Sequence, residues 1–293
     1  MLGVACTVTL TGGPQAQAIT GAAVPDFEHP YVGVVILYDA TGAAVQGCSG
    51  SLLTDTVFLT AGHCVTIGAT GIPASSARLW FEQDAGAGYD PATGTPASSG
   101  FPVSGGVTAG TIHRYGPGTP TPAEPYDAGL VILDAPVTTV YPDLTRYASL
   151  AEPGTLDKYV AAAPDGATTT ISGYGASNSA GNPEQVVDER SRLMADTQIV
   201  GLNTPDTGAV NVRLAGRQGS EGGGACFGDS GGPLLLAGTD VAAAVTSTGS
   251  PTCAGPFISY RTDTEPVVDW IRATAGSEAA EIGVVGVPVP VSP

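Results

Sequence analysis

The sequence predicts an all-β protein, because short apolar runs alternate with turn residues along most of the chain. Its 293 residues include 42 Gly and 24 Pro, and Val, Thr and Ser recur in the runs between them. Runs of this kind, bounded by Gly and Pro, are typical of strands joined by turns. Hydrophobic residues make up 42% of the chain, which is enough for a sizeable core.

One helix is predicted against this background, at Glu265–Ala275. Its apolar residues Val267, Val268, Trp270 and Ile271 fall on roughly one side of a helix. Long helical periodicity is nearly absent elsewhere, which supports the all-β class.

Two strand-rich parts, residues 19–137 and 138–275, flank a central crossing in the sequence. Within the first part, residues 83–125 are rich in Gly, Pro, Ala, Ser and Thr, and we predict a long surface insertion there. The tail over 276–293 alternates Val and Pro, which predicts an extended chain.

Three acids near the start of the predicted insertion, Glu82, Asp84 and Asp90, raise the alternative of a calcium loop. Their spacing matches no strict calcium-binding pattern. Solvated loop acids are therefore the favoured interpretation, and no metal site is assigned.

The charge of the chain argues against one class of partner. There are 27 Asp and Glu against 10 Lys and Arg, a formal net charge of −17. So acidic a surface repels nucleic acid and anionic membranes and supports solubility. The Val/Pro tail is also too short and too interrupted by Pro to span a bilayer. We expect neither a nucleic-acid partner nor a membrane span in this chain.

The cysteines are Cys6, Cys48, Cys64, Cys226 and Cys253. They include no C-x-x-C pair, which argues against a structural zinc site. Cys48 with Cys64, and Cys226 with Cys253, could each close a loop, which would imply an oxidising compartment. Cys6 is then left over.

The first 18 residues offer a reason for the odd cysteine. They are apolar to small and end in Ala16-Gln17-Ala18, the small-x-small pattern of a signal-peptidase site. A positively charged start is missing, so this would be the remnant of a signal peptide whose initiator lies upstream of Met1. Cleavage after Ala18 would remove Cys6 and leave four cysteines. The alternative is an ordinary first strand.

The stretch richest in chemistry is Cys226–Pro233, in which Ser230 lies between Gly228 and the pair Gly231-Gly232. Glycines this dense allow positive-φ backbone and close approach of another molecule to the main chain. Such a loop can direct backbone N–H groups to a point beside a serine hydroxyl, as attack on a carbonyl requires. The alternative is a glycine-rich turn with an incidental serine, so a base and an orienting acid must be found elsewhere.

A base and an acid occur earlier in the chain. His63 lies at the end of a predicted strand beside Cys64, whereas His29 is predicted on a polar surface approach and His113 is assigned no role. Asp127 opens the strongly apolar run that ends at Leu133. An acid at such a junction tends to be half-buried and needs a hydrogen-bond partner, which a histidine N–H would supply.

These segments resemble the chymotrypsin/trypsin family of serine endopeptidases. The run from Thr60 to Cys64 resembles its T-A-A-H-C motif, with Gly62 in place of the second alanine. The run from Asp127 to Leu130 resembles D-I-A-L, and the run from Gly228 to Pro233 matches G-D-S-G-G-P in full. The resemblance covers about residues 19–275 and implies two antiparallel six-stranded β-barrels with a C-terminal helix.

The resemblance implies a role for each matching residue. Ser230 would be the nucleophile, His63 the general base and Asp127 the carboxylate that orients the histidine. The N–H groups of Gly228 and Ser230 would form the oxyanion hole. Asp229 would pair with a new N-terminus at Ile19, freed by signal-peptide cleavage or by removal of a propeptide. The pairs Cys48/Cys64 and Cys226/Cys253 are implied as disulfides.

Substrate preference is the least determined property. By resemblance, Ser247 would lie near the buried aspartate, and Gly224, Ser247 and Gly249 would contribute to the substrate pocket. Gly224 carries no charge, which favours a neutral or apolar P1 residue; Glu221 is the nearby acid that would change this. Tyr174 also departs from the family pattern, standing where tryptophan is common.

The sequence therefore predicts a secreted or periplasmic serine endopeptidase that acts on polypeptides as a monomer, with no cofactor. A catalytically silent member that binds or scaffolds is the alternative. A serine esterase with a G-x-S-x-G elbow is disfavoured, because that class needs the order Ser, Asp, His, and the order here is His63, Asp127, Ser230.

Overall fold

The computed structural model describes residues 19–67, 72–85, 105–117, 126–164, 166–179, 182–187, 191–216, 222–250 and 252–286. The strands of the first part of the chain are β1 (Thr20–Gly21), β2 (Val24–Pro25), β3 (Val32–Tyr38), β4 (Ala44–Leu52), β5 (Val57–Thr60), β6 (Ser76–Trp80), β7 (Val107–Arg114) and β8 (Gly129–Leu133). Those of the second part are β9 (Ser149–Ala151), β10 (Ala167–Gly173), β11 (Ser177–Ser179), β12 (Asn182–Val187), β13 (Leu193–Leu202), β14 (Asn211–Leu214), β15 (Gly223–Gly224), β16 (Pro233–Leu236), β17 (Val241–Thr248), β18 (Phe257–Arg261) and β19 (Val284–Val285).

Helices are few in the described residues. The α-helices are α1 (Thr155–Ala161) and α2 (Glu265–Ala275), and 3-10 turns cover Gly62–Val65, Val137–Thr139 and Gly276–Ala280. The bounds of α2 are those predicted from the sequence. None of the helices described is long and apolar enough to cross a membrane.

The first barrel is closed, with strand order β3-β4-β5-β8-β7-β6 and antiparallel pairing throughout. Strands β3, β5 and β8 are largely apolar, and β3 is buried along its length as far as Leu37. Each large aliphatic or aromatic side chain buried in this way stabilises the fold by about 1.5–3 kcal/mol.

The second barrel closes through β16-β10-β13-β14-β18-β17, because β16 also pairs with β17. Its strand β13 shows the alternation expected of a sheet with one buried face, since Leu193, Ala195, Thr197 and Ile199 are buried and the residues between them are more exposed. β9 adds to β17 in parallel, and β19 adds to β9. The predicted two-barrel, all-β fold is confirmed.

Two predictions about segments need correction. The surface insertion predicted over 83–125 contains β7, which is a full member of the first barrel between β6 and β8. The tail predicted as extended forms the 3-10 turn Gly276–Ala280 and the paired strand β19. Local composition misled in both cases, because pairing with distant strands supplies the backbone hydrogen bonds. Residues 1–18, 86–104, 118–125 and 287–293 lie outside the described residues.

Residues 20–25 of the first part pack on the second part, and helix α2 of the second part packs on the first barrel. β1 pairs with β15 and β2 pairs with β13, so residues 20–25 belong to the sheets of the second part. Helix α2 instead packs on the first barrel, where Val267 and Ile271 join its core. The Trp270 ring lies 5.2 Å from that of Tyr115. Packing at both ends therefore ties the barrels together.

A buried ionic cluster links the segment that precedes β3 to both barrels. The Asp26 carboxylate accepts hydrogen bonds from Ser172 Oγ at 2.5 Å and from the backbone N–H of His29 at 3.0 Å. His29 Nδ1 lies 3.0 Å from Asp26 Oδ2. His29 is only 7% exposed, so the predicted surface position is wrong.

Arg192 completes this cluster from β13 with a guanidinium that is buried among carbonyl oxygens. Its Nε donates to the Asp26 carbonyl, and one terminal nitrogen donates to the carbonyls of Val32 and Phe81 and to the Tyr174 hydroxyl, at 3.0–3.1 Å. A buried cation needs this many acceptors to offset its desolvation. Burial raises the pKa of Asp26, but the hydrogen bonds and charges of His29, Ser172 and Arg192 outweigh it and lower that pKa below 3.8.

We predict that Asp26→Asn lowers the free energy of unfolding by about 3–5 kcal/mol at pH 7, because it removes the buried carboxylate that pairs with His29, bonds to Ser172 and balances part of the charge of Arg192. A lowered folded-state pKa gives stability that is fully present above the ordinary value and is lost as pH falls through the lowered one. The difference from the wild type should therefore shrink below about pH 4. Urea unfolding at pH 7 and pH 3 measures it. The exposed Asp143→Asn is the control, and an equal difference at both pH values would contradict the prediction.

Candidate active site

His63 and Asp127 are brought together by the pairing of β5 with β8. His63 lies in the 3-10 turn that follows β5, and Asp127 lies just before β8, with Thr60 opposite Gly129 in the register. The Asp127 carboxylate accepts a hydrogen bond from the His63 backbone N–H at 2.8 Å. The His63 ring nitrogen Nδ1 lies 3.0 Å from Asp127 Oδ2. The carboxylate thus holds both the backbone and the ring of His63.

Ser247, on β17 of the second barrel, donates its hydroxyl to Asp127 Oδ2 at 2.5 Å. Asp127 is 1% exposed, whereas the side chain of His63 remains 18% exposed. A buried carboxylate without partners is costly, and here groups from both barrels satisfy it. The result is a hydrogen-bonded chain from Ser247 through Asp127 to an imidazole that reaches solvent.

Ser230 lies in a tight loop between β15 and β16, as the density of glycines predicts. Gly228 and Gly231 have φ of +97° and +81°, which glycine adopts without steric cost. The Gly231 N–H donates to the Thr246 carbonyl, and the Thr246 N–H donates back to the Gly232 carbonyl, at 2.7 and 2.9 Å. The loop is therefore fixed against β17, which also carries Ser247.

His63, Ser230 and Ser247 line the same cavity, of about 200 Å³. The described residues that line it are His63, Ala225, Cys226, Phe227, Ser230, Thr246, Ser247, Thr248, Gly249 and Ser250, and none of these carries a carboxylate. Phe227 is 64% exposed at its edge. The structure thus brings three sequence-predicted residues, which are distant in the chain, to one opening.

Two predicted pocket residues, Ser247 and Gly249, line the cavity, but Gly224 does not. Gly224 is buried in β15, where it pairs with Thr20, and the next residue, Ala225, reaches the cavity instead. Gly224 therefore lies behind the wall, because its strand turns toward the N-terminal segment. Glu221 lies outside the described residues.

The residues predicted as an activation pair, Ile19 and Asp229, are both buried. The Asp229 carboxylate accepts hydrogen bonds from the backbone N–H groups of Gly175 and Cys226, each at 2.8 Å. Thr20, next to Ile19, donates its hydroxyl to the Cys253 carbonyl at 2.7 Å. The segment that follows Ile19 is thus linked to the nucleophile loop through Cys253, whose sulfur is bonded to Cys226.

Both implied disulfides are present. Cys48–Cys64 joins β4 to the turn that carries His63, and Cys226–Cys253 joins the nucleophile loop to the segment before β18. Each cross-link closes a loop beside the cavity, over 16 and 27 residues. Bridges of this kind limit the conformations of the unfolded chain.

Two of the three acids considered for calcium have protein partners. Glu82 Oε2 accepts the hydroxyl of Tyr141 at 2.9 Å, and Asp84 Oδ1 accepts that of Ser191 at 3.3 Å. Asp90 lies outside the described residues.

Sequence reasoning noted Tyr174 without a role and did not single out Ser49, and both lie beside the site. Tyr174 uses a hydroxyl that tryptophan lacks: it donates to the Glu82 carbonyl at 2.7 Å and accepts from Arg192. Ser49, on β4, bonds to the nucleophile loop. The only sequence signal for Ser49 was its position after Cys48 in a glycine-flanked run.

Comparison with known proteins agrees with this geometry. Residues 18–271 match the family model described as Trypsin. The chain belongs to the Trypsin family. It is therefore a serine-type endopeptidase by family, as the resemblance of its motifs implied.

Solved structures share the two-barrel fold of this trypsin-family chain. HL collagenase is 19% identical with a TM-score of 0.59, covering 87% of this chain and 97% of that one. A Glu endopeptidase in complex with MPD is 16% identical with a TM-score of 0.56, covering 89% and 98%. Protease Anisep from Arthrobacter nicotinovorans is 15% identical with a TM-score of 0.57, covering 88% and 99%.

We predict that Gly231→Ala lowers the free energy of unfolding by about 3 kcal/mol or more, because strain at positive φ adds to overpacking. A Cβ there would collide with Thr60 Oγ1 and lie 2.5 Å from the Ser49 carbonyl. The matched control is Gly238→Ala, at φ +71° with nothing within 4 Å of its Cβ, which should cost only about 1 kcal/mol. Urea unfolding compares them, and equal losses would contradict the prediction.

Proposed function

We propose that this trypsin-family chain is a secreted endopeptidase that cleaves polypeptides through Ser230, His63 and Asp127. The observation that carries the proposal is the hydrogen-bonded chain from Ser247 through Asp127 to His63, which opens on the cavity that Ser230 also lines. A serine nucleophile needs a base, and the base needs a group that fixes its tautomer.

The reaction would proceed through an acyl-enzyme. His63 Nε2 accepts the Ser230 hydroxyl proton as Oγ attacks the scissile carbonyl, while Asp127 holds the proton on Nδ1. The tetrahedral intermediate collapses as His63 gives its proton to the departing amine, which leaves Ser230 acylated. Water, deprotonated by His63, then attacks the ester and releases the carboxylic acid with Ser230 restored.

The negative charge that develops on the carbonyl oxygen needs donors. We assign this role to the N–H groups of Gly228 and Ser230, on either side of Asp229. Loss of one such donor typically lowers the rate by about 10²–10³-fold. The positive φ of Gly228 supports the assignment, because a loop with this conformation can turn successive N–H groups toward one point.

For the P1 residue we propose a neutral or apolar side chain. The described residues around the cavity include no carboxylate that would pair with Lys or Arg.

We predict that the wild-type protein cleaves a P1-diverse peptide library after neutral or apolar residues and that a fluorophosphonate probe labels Ser230. Ser230→Ala, which removes the nucleophile, should abolish labelling and reduce kcat by about 10⁶-fold. Mass spectrometry of the library products and of the labelled peptide reads out both results.

Two outcomes would contradict parts of this proposal. A folded wild type that neither cleaves nor labels would favour a silent member that binds or scaffolds. Cleavage after Arg but not after Phe or Leu would refute the P1 preference and leave the triad assignment intact.

We further propose that Ile19 is the mature N-terminus and that its ammonium group pairs with Asp229. The full burial of Ile19 and the pairing of β1 with β15 support this, since they place the segment against the strand before the nucleophile loop. The two disulfides support export to an oxidising compartment.

We predict that active protein recovered outside the cytoplasm begins at Ile19. Asp229→Asn should lower kcat by about 10²-fold, because an unanchored loop misplaces the oxyanion donors. N-terminal sequencing and peptide hydrolysis are the measurements, with Asp143→Asn as the control. Full activity with an N-terminus upstream of Ile19 would refute the pairing.

A further inference from the structure

Ser49 is a buried hydroxyl of the first barrel that bonds to the nucleophile loop of the second. Its Oγ donates to the Gly228 carbonyl at 2.8 Å and accepts the Tyr174 N–H at 2.9 Å. Its own N–H donates to the Ser230 carbonyl at 2.8 Å. One residue thus contacts the backbone on both sides of Asp229.

Ser49 packs closely against two glycines of the second barrel, one at the end of β10 and one in the nucleophile loop. A Cβ on Gly173 would lie 3.1 Å from Ser49 Oγ, and one on Gly232 would lie 3.4 Å from Ser49 Cβ. The Ser49 carbonyl is itself held by the Thr60 hydroxyl at 2.7 Å. Ser49 therefore has its position fixed from within its own barrel and its bonding groups directed at the other.

These two bonds restrict different torsions of the loop. The direction of the Gly228 carbonyl is set by ψ of that residue, and glycine at positive φ has few steric limits of its own. The bond from Ser49 Oγ fixes that carbonyl, and the bond from the Ser49 N–H fixes the carbonyl of Ser230. The two bonded carbonyls belong to the peptide planes 228–229 and 230–231, which flank the plane that carries the Ser230 N–H, and the first of them also adjoins the plane that carries the Gly228 N–H.

We propose that Ser49 is a positioning residue that holds the backbone between Gly228 and Ser230 in the conformation that stabilises the oxyanion. It does not touch the reacting atoms. The inference rests on the proposed function and adds to it the group that aligns the oxyanion hole from the opposite barrel.

The expected signature is a loss in the transition state with little loss in substrate binding. Without the hydroxyl, the Gly228 carbonyl loses its bond from the first barrel, although the Asp229 N–H of the same peptide still donates to the Cys226 carbonyl. Ser49→Ala should therefore lower kcat by about 10- to 100-fold, less than the 10²–10³-fold that follows complete removal of a donor. KM should change by less than about 3-fold. Affinity for a peptide aldehyde, which forms a tetrahedral adduct, should fall with kcat/KM.

The chain offers a matched control two residues along the same strand. Ser51 is as fully buried as Ser49, but its hydroxyl has no hydrogen-bond partner among the described residues. Ser51→Ala removes the same atom from the same strand and should leave kcat within about 2-fold. Ser49→Thr, which keeps a hydroxyl, should retain most of the activity. Ser49→Val, which has nearly the same shape as threonine but lacks the hydroxyl, should not.

The experiment measures kcat, KM, peptide-aldehyde affinity and urea stability for the wild type and these variants. A kcat for Ser49→Ala equal to that of Ser51→Ala, or equal losses in aldehyde and product-peptide binding, would overturn the proposal. If Ser49→Ala does not fold, the Thr and Val pair decides, and equal kcat values overturn it. A wild type without cleavage or labelling would instead refute the proposed function, and this inference with it.

Discussion

The Asp127 carboxylate must be satisfied although it is buried, and the geometry of the site follows from this constraint. Asp127 is 1% exposed and belongs to the first barrel, yet one of its hydrogen bonds comes from Ser247 of the second. The other bonds come from the backbone and ring of His63. The pairing of β5 with β8 fixes the bonds between Asp127 and His63, and docking of the barrels adds the bond from Ser247, so the carboxylate is fully satisfied only in the assembled molecule.

The nucleophile loop depends on the same docking. Its glycines allow close approach, and the first barrel fills the space that they leave with the backbone and hydroxyl of Ser49. The Cys226–Cys253 bridge and the bonds to Thr246 hold the loop within its own barrel. A loop restrained from both sides is pre-organised, which is what stabilisation of a developing charge requires.

A second polar cluster, around Asp26 and Arg192, supports the site from behind. Arg192 donates to the Tyr174 hydroxyl, and the backbone N–H of the same tyrosine donates to Ser49 Oγ. Tyr174 therefore connects the Asp26 and Arg192 cluster to Ser49, which bonds to the Gly228 carbonyl. This path explains the tyrosine at position 174: its hydroxyl both accepts from Arg192 and donates to the Glu82 carbonyl. A tryptophan indole can only donate.

The sequence by itself determined the all-β class, the helix Glu265–Ala275 and the candidates His63, Asp127 and Ser230, because turns, helical periodicity and compact motifs are local properties. It did not reveal β7, whose strand is stabilised by neighbours rather than by its own composition, nor that Gly224 lies behind the cavity wall. Ser49 and Ser51 show the limit most clearly. Both are buried serines on one strand, and only the packing of the second barrel gives one of them partners while the other has none among the described residues. Contacts between residues more than 100 positions apart decide such differences, and no local pattern records them.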